Sequence, residues 1–315
     1  MNALTLLSHP FKRTLAAAVA GCCMLSSVRA EAEHPEKPLL WKIEGAEVKK
    51  PSYLFGTIHV GKGPAATLHP AAAKAFDEAT AIHAEAPMDA VSQMGAVKHV
   101  MRGDETTLSE SIGPDLVKKL NAELKRINPA LDATPFEQLK TWYVAIMLPL
   151  LKLQLDGTKP LDMLLWEKAA KAGKKTAGMQ AIADQLAGFN EFNEKEQVVL
   201  LSETIRFQRE EREAGKDSLQ LLIDAYLTGD TKKIEEEVDK SLKATLEGEH
   251  KELGERLIKR VLKDRDVIMA DYIDATLKKS PEDVHFFAAG AAHYSGDSSV
   301  RALLEKKGYK ITRIE

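Results

Sequence analysis

Apolar residues fall in short, strand-like runs near both ends of the chain and recur at helical spacing through its middle. Residues 39–44 (LLWKIE), 52–58 (SYLFGTI), 81–86 (AIHAEA), 175–179, 284–289 (VHFFAA) and 309–314 (YKITRI) are rich in β-branched, aromatic or alternating positions and end at Gly, Pro or polar turns, which predicts strands. An alanine-rich helix is expected near 71–79, after a Gly/Pro segment at 61–70. Residues 88–156 read as mostly helical. Their most apolar stretch, 142–155, is interrupted by Pro149 and Lys152 and reads as a buried helix pair rather than a membrane span. Asp162 is placed to N-cap a helix over 163–172 that Gly173 ends. Residues 191–277 are charged and periodic, hence several amphipathic helices, and a last helix spans 299–307. No repeat at a solenoid period is present. The expected fold is α+β, with a mixed sheet built from N- and C-terminal strands around a mainly helical region at about 88–280.

Residues 1–30 break this pattern. Lys12 and Arg13 precede an uncharged run, 14–28, and Val28-Arg29-Ala30 sets small residues at a cleavage site, so the segment reads as an export signal. Residues 31–37 then form a flexible leader, and 38–315 the folded domain. Val19-Ala20-Gly21-Cys22 resembles a lipobox, so a lipoprotein anchored at Cys22 is the alternative to periplasmic or secreted release after Ala30. With the signal leave Lys12, Arg13 and Arg29, taking the 44 basic residues to 41 against 47 acidic, a net charge of −6. Such a chain has no electrostatic hold on a phosphate backbone, so nucleic acid is an unfavourable partner. Both cysteines, Cys22 and Cys23, leave too, so any metal must be held by His, Asp, Glu or main-chain oxygen. The 44% hydrophobic content with 29% charged residues excludes a disordered chain.

Two short motifs carry the candidate chemistry. Gly56-Thr57-Ile58-His59 and Gly290-Ala291-Ala292-His293 each follow a predicted strand. Glycine at a strand end permits close approach, and ligands of open α/β sheets sit beyond the strands' C-terminal ends. Glu85 ends a third strand among alanines, where a carboxylate is seldom left unpaired. His59, His293 and Glu85 would form a two-His, one-carboxylate metal set, with Glu85 as ligand or as the base that activates a bound water. On a helix over 257–273, Leu257, Val261, Ile268 and Tyr272 share a stripe with Arg265 in its middle, and Asp266 falls at the edge. An arginine on an apolar face snorkels or reaches a buried anion. HExxH, GxSxG, P-loop and GxGxxG motifs are absent; His83-Ala84-Glu85 mimics a deaminase HxE without its PCxxC.

Tyr53-Leu-Phe-Gly-Thr-Ile-His59-Val-Gly61, with Gly290-Ala-Ala-His293-Tyr-Ser-Gly296 and the run to Ile311, resembles the opening and closing motifs of the TraB/GumN (Tiki-like) family. Glu85, Leu161-Asp162, Gln185-Leu186 and the Arg265 helix match landmarks between them. The resemblance spans about 38–315. It implies an α+β fold similar to erythromycin esterase and ChaN-like proteins, and metal-dependent peptidase chemistry through His59, Glu85 and His293. Mn, Co or Zn is the implied cofactor, and a peptide or small molecule the implied substrate. Arg265 would stabilise an oxyanion or orient a substrate carboxylate. Gly178-Met179-Gln180 and Arg265-Asp266 depart from the family's usual Gly-Leu-Glu and Arg-Asn, and Tyr294 from its usual Leu. An amide cannot act as base or charged ligand; Asp266 could restore the charge lost at Gln180. The alternative function is non-catalytic ligand or metal binding on the same fold.

Overall fold

The computed structural model describes residues 33–45, 48–246 and 248–315. The expected signal sequence and the lipobox lie outside the described residues. Among the described residues, no helix is long and apolar enough to cross a membrane.

Six strands form one mixed sheet: β1 Leu40–Glu44, β2 Ser52–Thr57, β3 Ala81–Ala84, β4 Lys175–Gly178, β5 His285–Gly290 and β6 Lys310–Ile314. Their order across the sheet is β4-β3-β5-β2-β1-β6. β2, β5, β3 and β4 pair in parallel, whereas β1 runs antiparallel to both β2 and β6. The four parallel strands therefore end on the same edge. β2 and β5 lie inside the sheet and are buried at almost every position, while β4 and β6 are edges carrying exposed lysines.

Helices α1 (Pro70–Glu78), α2 (Ala90–Val100), α3 (Leu108–Ile127), α4 (Thr141–Met147), α5 (Leu151–Leu155) and α6 (Leu161–Lys171) follow in the first half. Then come α7 (Ile182–Asn190), α8 (Glu194–Glu213), α9 (Ser218–Thr228) and α10 (Thr231–Thr245). Helices α11 (Lys251–Ile258), α12 (Asp264–Lys279) and α13 (Val300–Lys306) complete the set. Capping boxes start α3 (Thr107 with Glu110) and α8 (Asn193 with Glu196). The expected pair over 142–155 appears as α4 and α5, parted by a 3-10 turn containing Pro149.

Two cores result. One wraps the sheet, with Trp41, Leu54, Phe76, Phe286, Met269 and Tyr294 buried in it. The other belongs to the helical region and gathers Leu120, Trp142, Leu148, Leu201 and Leu257. The leader's described residues run along α9, where the Glu36 N–H donates to Leu227 O (2.7 Å).

The helix expected over 257–273 is not continuous. A π-turn at Lys259–Lys263 parts α11 from α12 and resets the phase. Arg265, Asp266, Met269, Ala270, Ile273 and Leu277 face inward, and Ile268, expected on the buried stripe, is exposed. Asp266 moves from the stripe's edge to its centre.

Two histidines away from the strand-end cluster form a buried chain with Tyr272. The Tyr272 hydroxyl donates to His83 Nδ1 (3.0 Å), and His83 Nε2 bonds His285 Nδ1 (3.0 Å). His285 Nε2 lies 3.4 Å from Ser280 O. Burial favours neutral rings, and with both neutral the acceptor carbonyl of Ser280 places each proton on Nε2. Burial pushes His83 down to about 3, reinforced by His285, and burial lowers His285 as well. A base with a depressed folded pKa stabilises the fold above its unfolded value and loses that contribution as pH falls. Thermal stability is therefore expected to drop between pH 6.5 and 5, by about 1.4 kcal/mol per pH unit for each histidine that stays neutral. The drop should be shallower in His83→Gln, read by calorimetry over that window; equal slopes would refute the assignment.

Candidate functional site

Each parallel strand delivers a polar group to the shared edge. His59 comes two residues after β2, Glu85 one after β3, Gln180 two after β4, and His293 three after β5, on a 3-10 turn over Ala291–Tyr294. The first turn of α12 adds Arg265 and Asp266, and the first turn of α6 adds Asp162. Asp162 is not the N-cap that its sequence position suggested. Pro160 holds that place, and Asp162 is buried, pointing across to β2.

The two histidines are held alike. His59 Nδ1–H donates to Asp162 Oδ2 (3.0 Å), and Asp162 Oδ1 accepts the Thr57 hydroxyl. His293 Nδ1–H donates to Asp266 Oδ1 (2.7 Å). In both rings the carboxylate fixes the tautomer and leaves Nε2 turned away from it. The space between them is kept open by Gly290. A Cβ there would lie 3.5 Å from His59 Nε2, 3.3 Å from Glu85 Oε1 and 3.8 Å from His293 Cδ2. His293 Nε2 is 3.8 Å from Glu85 Oε2.

Glu85 is 3% exposed and fully engaged. Its Oε2 pairs with Arg265 Nη2 and accepts from Gln185 Nε2 (3.4 Å); its Oε1 accepts the Gly290 N–H (2.6 Å). Burial alone would raise its pKa, but Arg265, His293, His59 and the Gly290 N–H together hold it well below the usual carboxylate range. Arg265 is otherwise occupied by Gln180, whose amide oxygen accepts from Nε (2.8 Å) and Nη2 (2.9 Å) once the amide is turned to face its donors. Nη1 donates to Val261 O (3.3 Å) in the π-turn. Gln180 thus partners Arg265, and Asp266 partners His293; burial raises the Asp266 pKa against the pull of that histidine.

His59 is the outward member, its side chain 58% exposed, although its Nδ1 edge rests on buried Asp162. That carboxylate outweighs desolvation and raises the imidazole to about 9. At neutral pH the ring carries both protons, and Nε2 must surrender one before it can act as a ligand.

The histidines, Glu85, Arg265, Gln180, Asp266, Gly56 and Gly290 thus gather at one edge; Gly56 supplies close packing, its carbonyl accepting from the Tyr226 hydroxyl (3.2 Å). Asp162 was passed over as a site residue because the helix-start reading accounted for it. Its place three residues after Lys159, whose carbonyl meets Gly61, becomes informative only in three dimensions: a Cβ on Gly61 would come 1.9 Å from that oxygen. Likewise a Cβ on Gly178 would strike Pro87 Cδ at 2.3 Å, so the Gln180 and Glu85 segments touch backbone to ring.

Two imidazoles anchored through Nδ1 beside a carboxylate are the donor types that suit a borderline divalent cation, once His59 Nε2 has lost its proton. Among the described residues, no three His, Cys, Asp or Glu side chains already surround one point at ligand distance. Glu85 is committed to Arg265, Gln185 and the Gly290 N–H, so it could join a cation beside the imidazoles only by loosening that hold.

The model of the TraB/PrgY/gumN family matches residues 39–313. Metalloprotease TIKI2 of Danio rerio is 24% identical over 313 residues, covering 86% of this chain and 60% of that protein. Metalloprotease TIKI1 of Danio rerio is 24% identical over 343 residues, covering 92% and 68%. Metalloprotease TIKI1 of Homo sapiens is 24% identical over 315 residues, covering 86% and 61%. The chain thus spans about three-fifths of the length of the first of these relatives. No solved structure matches it.

A buried ion pair stripped of one partner costs about 3–5 kcal/mol, whereas replacing both by neutral groups costs far less. Arg265→Met is therefore expected to destabilise by that amount, and Arg265→Met with Glu85→Gln to recover most of it. Urea unfolding checks this, and additive losses would show that the two residues do not depend on each other.

Proposed function

The chain belongs to the TraB/PrgY/gumN family, and from that premise and the geometry above we propose that it is an exported metal-dependent hydrolase acting on peptides. The observation that carries the proposal is the Gly290 cradle, where His59 Nε2 and Glu85 Oε1 face the same gap beside His293. Its relatives' name, metalloprotease, supports the same chemistry. In this reading the fold is related to erythromycin esterase and ChaN-like proteins, and the segment before Ala30 directs export.

His59 and His293 would hold the cation, Mn, Co or Zn. When bound, such a cation polarises a carbonyl oxygen and lowers the pKa of a coordinated water. Asp162 and Asp266 keep both rings aimed and raise their basicity. Glu85, one residue beyond β3, turns Oε1 to the side facing the gap and would accept a proton there once Arg265 loosens its hold, which otherwise keeps the carboxylate a weak base. Arg265 keeps Glu85 in place and ionised; on release it can turn a guanidinium N–H to a substrate oxygen. Gln180 supports Arg265 as a neutral acceptor, and the carboxylate that the usual family pattern has there is offset by Asp266, which places its charge at His293 instead.

Metal-dependent peptide turnover is expected from the purified protein, abolished in His59→Ala and His293→Ala with circular dichroism unchanged. Stoichiometric ligand binding without turnover would favour a binding protein instead, and turnover that persists in chelator would remove the metal requirement. Asp162→Asn and Asp266→Asn are each expected to weaken Mn²⁺ binding about 10–100-fold. Equilibrium dialysis measures this without relying on activity, and unchanged affinity in both would remove the carboxylates' proposed role.

A further inference from the structure

His59 and His293 each donate Nδ1–H to a carboxylate, but beyond that bond they are held differently. His293 is 4% exposed, so packing fixes its ring, and Oδ2 of its partner Asp266 accepts no hydrogen bond from the described residues. His59 stands beyond the end of β2 with its side chain 58% exposed. Among the described residues its ring makes one hydrogen bond, to Asp162 Oδ2. An exposed ring with a single bond is aimed no better than the group that holds it.

A carboxylate turns readily about its last torsion, so one contact does not fix its plane. Asp162 has a second contact. It is 2% exposed, and its other oxygen, Oδ1, accepts the Thr57 hydroxyl. Thr57 is 1% exposed at the last position of β2, in register with Gly290 of β5. A β-branched side chain on an interior strand has little freedom at χ1, so this hydroxyl is a stiff donor. Valine has the same shape and suits such a position equally well. The hydroxyl is costly when buried unless it is bonded, and its bond goes to Asp162. The backbone on either side is fixed as well: Gly56 O accepts the Tyr226 hydroxyl (3.2 Å), and Gly61 lies against the Lys159 carbonyl.

We propose that Thr57 is a positioning residue for the metal site. Its hydroxyl fixes the plane of the Asp162 carboxylate, so that Oδ2 holds His59 with Nε2 toward the gap beside Gly290. A strut of two hydrogen bonds thus runs from the sheet interior to the exposed imidazole and makes His59 the preset arm of the pair. The proposal rests on the metal-dependent reading above.

Thr57→Val keeps the volume and removes the hydroxyl. In the full chain, equilibrium dialysis with Mn²⁺ alone should show an affinity about tenfold lower in Thr57→Val and unchanged in Thr57→Ser. Added to Asp162→Ala, Thr57→Val should cause no further loss, because the hydroxyl acts through that carboxylate. The His59 Nδ1 proton, identified by magnetic resonance in histidine-labelled protein through its loss in His59→Ala, should exchange slowly in the metal-free chain and in Thr57→Ser, and faster in Thr57→Val. A merely structural threonine would lower urea stability in Thr57→Val and leave Mn²⁺ affinity and imidazole exchange unchanged. That result overturns the proposal, as do additive losses of affinity. If Thr57→Val does not fold, the unsubstituted chain decides, and rapid exchange of its His59 Nδ1 proton overturns the proposal instead. If the unsubstituted chain binds no Mn²⁺, the metal-dependent reading fails, and imidazole exchange in Thr57→Val still decides whether the hydroxyl holds His59 in place.

Discussion

A carboxylate that is 3% exposed at the end of a strand can stay ionised only if a cation meets it, and in this chain that cation is Arg265. The pair joins β3 to the first turn of α12, two segments 180 residues apart in sequence. Gln180, after β4, is recruited by the same guanidinium, and Gly290, at the end of β5, by the same carboxylate. Three parallel strands and a helix thus share one buried charge pair. Its desolvation cost is met by hydrogen bonds from every neighbour, which is why the edge is so fully satisfied.

The π-turn before Arg265 belongs to the same arrangement. Without the extra residue in that turn, a regular helix would set Ile268 on the buried stripe of Leu257 and Val261. With it, Arg265 and Asp266 point inward together, one to Glu85 and one to His293. Backbone closeness does the equivalent work elsewhere. Gly61 against the Lys159 carbonyl and Gly178 against Pro87 bring the carriers of His59 and Asp162, and of Gln180 and Glu85, nearer than any side chain would permit.

The departures from the usual family pattern also acquire a physical meaning. Gln180 keeps the hydrogen bonds a carboxylate would make to Arg265 but not the charge, so the guanidinium is left chiefly to Glu85. Asp266 adds its charge at His293 rather than at Gln180's partner. Tyr294 is buried, donates its hydroxyl to Phe287 O (3.0 Å) and leans on Trp41, tying the closing motif to the sheet core.

Much of this was legible in one dimension. Alternation and β-rich composition mark all six strands, because a strand's burial pattern is local and its period is two. The glycines and histidines of the two GxxH motifs, and a glutamate among alanines, stand out because such residues are costly in those settings. What remained hidden depends on phase and on contacts across the chain. Asp162 obeys the local rule for a helix start, and only the approach of β2 shows that its carboxylate serves Thr57 and His59. The stripe on α12 differs from its sequence reading because a π-turn leaves no periodic signature, and the Tyr272–His83–His285 chain is hidden there because its members come from three separate segments. Sequence determined which groups each strand would carry to its end; tertiary structure decided which of them meet, since a hydrogen bond or an ion pair depends on distances that spacing along the chain does not contain.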